Sequence, residues 1–163
     1  MQQALMTALV TGLGLTAGTA LAQEKYGSWL QICEEGQPCR AVQQLAVTQT
    51  GEFAARIIGI KVEDGLWLAA QVPMGVYFPA GAVFKVNTAE DTPQEQMIWQ
   101  RCLNGICEAA IQLDSERLED FSQADQMYFA YRMRPDEDPR LLNVSLDGFI
   151  DALEAPRSDP PEQ

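Results

Sequence analysis

Apolar and polar residues alternate with a period of two along most of this chain, and short turn signals interrupt the alternation at close intervals. The clearest run sets Met127, Phe129, Tyr131 and Met133 against Gln126, Tyr128, Ala130 and Arg132, which predicts a half-buried strand. Ile58, Ile60 and Val62 alternate with Gly59 and Lys61 in another. The same reading predicts strands over residues 26–33, 40–49, 53–62, 66–72, 83–86, 97–102, 107–113, 126–133 and 142–146. Trp29 and Ile32 fall on opposite faces of the first, which implies a bend or burial on both sides. Asp114 or Ser115 caps a short helix to about residue 122, with Leu118 and Phe121 on its inner side. A second short helix over residues 147–153 turns Phe149, Ile150 and Leu153 inward. About nine short strands, tight turns and one or two short helices predict an all-β fold, a single antiparallel β-sandwich or barrel.

The turns carry their own chemistry. Thr50-Gly51 reads as a hairpin loop, and Glu63-Asp64-Gly65 as a three-residue loop with glycine in the left-handed position. Val72-Pro73-Met74-Gly75 and Phe78-Pro79-Ala80-Gly81 each place proline second and glycine fourth, as a type I turn prefers. Asn104-Gly105 is the strongest signal, because both residues tolerate the positive φ of a type I′ turn. A two-residue loop there pairs Leu103 with Ile106 and then Cys102 with Cys107. That second pair is non-hydrogen-bonded, with Cα atoms about 4.5 Å apart, within the reach of a disulfide.

The cysteines number four, which permits three connectivities. A crossed arrangement would close loops of about 70 residues and contribute roughly 4 kcal/mol by chain entropy, against roughly 2 kcal/mol for the short loops. Turn geometry favours the local pairs, Cys33 with Cys39 and Cys102 with Cys107. Disulfides require an oxidising compartment, and the start of the chain agrees. Residues 4–21 carry no charge, and Ala20-Leu21-Ala22 before Gln23-Glu24-Lys25 has the small-x-small form of a signal-peptidase site. The expected division is a signal peptide at 1–22, one β-domain at 23–154 and a disordered proline-containing tail at 155–163. The protein is then periplasmic or secreted, with no stable membrane insertion after cleavage.

Charge and missing residue types narrow the chemistry. The net charge of −12 disfavours nucleic acid and anionic lipid, which are bound through Lys and Arg. With no histidine in the chain, Ser-His-Asp and Cys-His triads and imidazole zinc sites are excluded. Four residues separate Cys102 from Cys107, so they do not form a Cys-x-x-Cys redox motif. Glu34-Glu35, Glu63-Asp64, Glu90-Asp91 and Asp136-Glu137-Asp138 all fall in turns, where solvated charge is the ordinary role. No catalytic, cofactor or metal residue is expected. The aromatic residues Trp29, Trp67 and Trp99 fall in apolar strands and read as core. Tyr77 and Phe78, held between two Pro-Gly turns, read with Met74 as a contact patch for a protein partner, the acidic loop at 90–95 beside them.

The motifs also share an order. Trp29, Cys33, Cys39 and Gln43 precede Val72-Pro73-Met74-Gly75-Val76 and Pro79-Ala80-Gly81; then come Cys102, Gly105-Ile106-Cys107-Glu108-Ala109 and Ser145-Leu146-Asp147-Gly148-Phe149. Over residues 28–153 the chain resembles the invasion-associated locus B family of exported bacterial proteins. Ile106 departs from the glycine that family commonly carries before its last cysteine. The resemblance implies a compact β-rich periplasmic or secreted protein, associated in some pathogens with host-cell invasion, with no catalytic residues to carry over. The expected function is a non-enzymatic, disulfide-stapled interaction module for an envelope or host-cell protein. A small-ligand binder or chaperone is the first alternative; a carboxylate hydrolase or thiol-disulfide protein is the second.

Overall fold

The computed structural model describes residues 22–86 and 92–157. The expected signal segment up to residue 21, residues 87–91 of the acidic loop and residues 158–163 of the tail lie outside them. Ten strands carry the fold: β1 (Ala22–Tyr26), β2 (Trp29–Cys33), β3 (Arg40–Ala46), β4 (Phe53–Val62), β5 (Gly65–Pro73), β6 (Ala82–Val86), β7 (Glu95–Leu103), β8 (Ile106–Asp114), β9 (Gln126–Tyr131) and β10 (Arg140–Ser145). Helix α1 spans Ser115–Gln123 and α2 spans Phe149–Glu154. The strands form one antiparallel sheet in the order β1-β2-β3-β4-β5-β8-β7-β6-β9-β10.

Strand β7 turns the sheet back on itself. Its first three residues, Glu95 to Met97, pair with β6, whereas Ile98 to Leu103 pair with β8 across a register shift between Trp99 and Arg101. Such an irregularity bends a strand and increases its twist. The two parts of the sheet therefore face each other across a single core. Trp29, Phe84, Phe121, Phe129, Tyr131 and Phe149 are its largest members. The sheet does not close. At the seam β10 lies against β3, and side chains replace a ladder. The Trp29 indole N–H donates to the Ser145 carbonyl at 2.8 Å. Gln43 Nε2 donates to the carbonyls of Ser28 and Ser145, each at 3.2 Å, and the Tyr131 hydroxyl donates to Ala54 at 2.9 Å.

The tenth strand arises where the sequence predicts one strand over residues 26–33. Gly27 adopts φ +50° and breaks that run into the β1–β2 hairpin, with Tyr26 opposite Trp29. Trp29, Gln31 and Cys33 then face inward, and Leu30 and Ile32 outward. Buried Gln31 is satisfied by donating to the carbonyls of Ala152 and Ala155. Beyond α2, Arg157 donates to the carbonyls of Glu34 and Gln37 in the β2–β3 turn, so residues 155–157 are tied to the domain.

Several local expectations change. Strand β3 ends at Ala46 because Val47 to Glu52 close a turn in which Gly51 N–H donates to the Val47 carbonyl at 2.8 Å. Glu63-Asp64 is a two-residue loop, since Gly65 already pairs with Val62. In β4 the inward residues are Ala55, Ile57 and Gly59. Gly59 faces the core because the Phe149 ring occupies the space of a side chain there, 2.7 Å from where a Cβ would stand. Ile58 and Ile60 consequently face out. Trp67, read from sequence as core, faces out with them and is partly exposed.

Cys33 is bonded to Cys39 and Cys102 to Cys107. Asn104 (φ +51°) and Gly105 (φ +82°) form the turn, with Leu103 opposite Ile106. Ile106 is accommodated because it is a strand residue, outside the turn proper. Replacing Cys102 and Cys107 together with alanine is expected to cost about 2 kcal/mol, the entropy of so short a loop. The urea midpoint should fall with an unchanged slope, because the Asn-Gly turn still sets the register.

Candidate functional site

The segment between β5 and β6 is built on the stapled hairpin. Pro73 pairs with Ile106 at the end of the β5–β8 ladder. The next N–H, of Met74, donates to the Gly105 carbonyl at 2.8 Å. The expected Val72–Gly75 turn is therefore replaced by a continuation of that ladder. Gly75 at φ +106° reverses the chain, a conformation that favours glycine. Val76 then enters the core, and Tyr77 N–H donates to the Arg132 carbonyl at 2.8 Å. Phe78–Ala80 forms a single 3-10 turn, with Pro79 in its first turn and Gly81 N–H returning to the Phe78 carbonyl at 2.9 Å. Met74, Tyr77, Ala80 and Gly81 are each anchored by a backbone hydrogen bond, so the path of the segment is fixed.

Those side chains stand out. Met74 and Phe78 are each 51% exposed, while Tyr77 is half-buried. The Phe78 ring meets Trp99 edge-on, centroids 5.6 Å apart. The Trp99 indole N–H is buried without an acceptor among the described residues. Leu103, 61% exposed, sits across Ile106 from Pro73 on the same hairpin. On the other side of the turn lies a shallow concavity of about 450 Å³, lined by Ala80, Gly81, Val83, Ala130 and exposed Leu141 among others. A rigid aromatic knob beside an apolar hollow is suited to burial by a partner, where aromatic anchors supply most of the binding energy.

The acidic loop does not join this patch as a unit. Glu90 and Asp91 lie outside the described residues. Glu95 is in β7, where it forms an ion pair with Arg117 at 3.0 Å. Arg117 also pairs with Asp120 and donates its backbone N–H to the Asp114 cap at 2.9 Å. The other carboxylates that form ion pairs are spread over the surface. Glu34 pairs with Arg40, Glu154 with Lys61 at 2.7 Å, Glu137 with Arg134 at 3.2 Å and Glu108 with Arg101 at 3.7 Å. Among the described residues no group of three or more His, Cys, Asp and Glu is placed to hold a metal ion. The space between the two parts of the sheet is filled by the aromatic core. A second concavity of about 430 Å³ lies at the open seam, lined by Val47, Ala54, Tyr131 and Leu142 among others.

A family model described as invasion associated locus B (IalB) protein matches residues 29–157. A crystal structure of invasion associated protein b from Bartonella henselae superposes with a TM-score of 0.68 at 21% sequence identity. That similarity covers 81% of this chain and 93% of that one. No match is found among curated proteins.

Proposed function

The chain belongs to the invasion associated locus B family, and on that premise we propose that it is an exported, non-enzymatic interaction module. In this reading the signal peptide is removed after Ala22, and the mature domain works in the periplasm or after secretion. Two disulfides support an oxidising compartment. Among the described residues no helix is long and apolar enough to cross a membrane. Met74, Tyr77 and Phe78 form the contact for a protein partner in the envelope or on a host cell. The name of the Bartonella structure ties that protein to invasion, which supports the host-cell option.

The observation that carries the proposal is the exposure of Met74 and Phe78 on a segment whose backbone is hydrogen-bonded on both sides. A preorganised backbone has little further freedom to lose on binding, so less of the area buried there is offset by ordering the loop. Photo-cross-linking in the native envelope, with the reactive residue at Met74, should capture one dominant protein. The Tyr77→Ala/Phe78→Ala variant should bind that protein at least about tenfold more weakly, roughly 1.4 kcal/mol, with its thermal midpoint checked for intact folding. Unchanged affinity in a folded double variant would remove these residues from the interface.

A further inference from the structure

The register of the first seven strands assembles a second surface on the outside of the sheet. Leu30, Val42, Ile58, Ala69, Ala110 and Ile98 stand opposite one another in an unbroken row from β2 to β7. At a strand spacing of about 4.8 Å, with Lys25 of β1 at its head, the row runs for about 29 Å. Ile32, Ile60 and Trp67 widen it on one side. Helix α2 packs on the inner side, with Phe149 against Trp29 and Gly59, and does not cover this face. Leu30 is 39% and Ile98 69% exposed, and Ile32, Ile58, Ile60 and Trp67 are partly exposed, whereas Val42, Ala69 and Ala110 are buried between them, so the accessible apolar surface is made by the larger side chains. The outside of an antiparallel sheet is ordinarily polar. Here it is apolar at its centre.

The charge on this face runs against that of the molecule. The chain has 11 Lys and Arg against 23 Asp and Glu, yet Lys25, Arg40, Arg56 and Arg101 all stand in or beside the apolar rows. Within those rows and the adjoining Gln44-Arg56-Gln71-Glu108-Arg101 row, Glu108 is the single carboxylate. It accepts from Gln71 at 2.8 Å and pairs with Arg101 at 3.7 Å. Arg40 pairs with Glu34. Lys25 and Arg56 have no acidic partner among the described residues. Arg56 is held instead by Gln44 at 3.0 Å and Gln71 at 3.5 Å, neutral groups that orient the guanidinium without cancelling its charge.

From this complementarity we infer that the outer face is a docking surface for an acidic, amphipathic segment of a partner protein. The segment lays apolar side chains along the Leu30–Ile98 row and sets Asp or Glu against Lys25 and Arg56. A second copy is disfavoured, because face-to-face pairing brings the same four cations together. An anionic bilayer is disfavoured too. A plane resting here also meets Glu34-Glu35 and Glu63-Asp64, the turns at one end of these strands, whereas a narrow segment lies between the cations. The surface is separate from Tyr77 and Phe78, so the two interfaces stand or fall independently.

The test uses the folded, oxidised protein and short fluorescein-labelled peptides, one alternating Leu and Glu and the other Leu and Lys. The Leu-Glu peptide should bind, weaken as salt is raised, and lose about tenfold in affinity with Lys25→Glu/Arg56→Glu. Ile58→Ser should weaken it comparably, and Phe78→Ala should leave it unchanged. These exposed or half-exposed positions permit folded variants, checked by thermal unfolding. Equal binding of the Leu-Lys peptide, or no binding of either, would overturn the inference. So would full affinity in the charge-reversed variant, a preference for phosphatidylglycerol vesicles, or a dimer that the same reversal dissociates.

Discussion

Trp29→Ala should destabilise the domain by about 4 kcal/mol, the ordinary range for removing a large aromatic side chain from a packed core. Trp29 is fully buried, its ring lies 4.5 Å from that of Phe149, and its indole N–H ties β2 to Ser145 at the end of β10. The substitution therefore empties the core and loosens the seam where the sheet fails to close. Since a domain is stable by only about 5–15 kcal/mol, one residue here accounts for a large share. Trp29→Phe should cost much less, about 1–2 kcal/mol, because Ser145 keeps its hydrogen bond from Gln43. Urea unfolding followed by the fluorescence of Trp67 and Trp99 measures both. A loss below about 1 kcal/mol for Trp29→Ala would mean that the seam is not held by this side chain.

The seam also marks where sequence reasoning stops. Strand β9 and the β7–β8 hairpin were legible because each is local: alternation sets one, and Asn104-Gly105 with its cysteines sets the other. The helix at Ser115 was legible from its Asp114 cap. The division of residues 26–33 into a hairpin was not: Gly27 takes a positive φ in the Gly27-Ser28 turn, and a distant neighbour leaves no room for a side chain there. A Cβ there would stand 2.5 Å from the Asp147 carbonyl oxygen. The same holds for β4. Ile58 and Ile60 look like core residues until Phe149, ninety residues later in the chain, takes the inner side of Gly59.

The proposed sites divide along the same line. Met74 and Phe78 could be singled out because two Pro-Gly turns frame them, although the first does not close as a type I turn. The basic apolar face had no local signal at all. Lys25, Arg40, Arg56 and Arg101 lie on β1, β3, β4 and β7, and only cross-strand register gathers them. Trp67 faces out for the same kind of reason: its strand is apolar on both faces, and only the pairing of Ile60 with Trp67 assigns it to the outer one, where it is partly exposed.

Gly65→Ala should be among the most damaging single-methyl changes in the described residues, at about 3 kcal/mol or more. Gly65 pairs with Val62 on one side and Asp114 on the other, within the ladders of a central strand. Its φ of +144° is strained for any side chain. The added Cβ would also stand 2.0 Å from the Leu113 carbonyl oxygen and 2.9 Å from the Asp114 Cα. Both are backbone atoms, so no rotamer change relieves the contact; β5 and β8 must separate. Asp114 caps α1, and the same ladder spaces Ala69 from Ala110 and ends at Pro73 beneath Met74. The damage should therefore reach helix and binding surfaces together. Gly36→Ala is the matching control, since Gly36 has φ +74° and nothing within 4 Å of its Cβ position. It should cost only the left-handed backbone penalty, about 1–2 kcal/mol. Urea unfolding of the two variants separates strain from steric contact. Equal losses would show that β5 and β8 are not packed as closely at Gly65 as the structure has them.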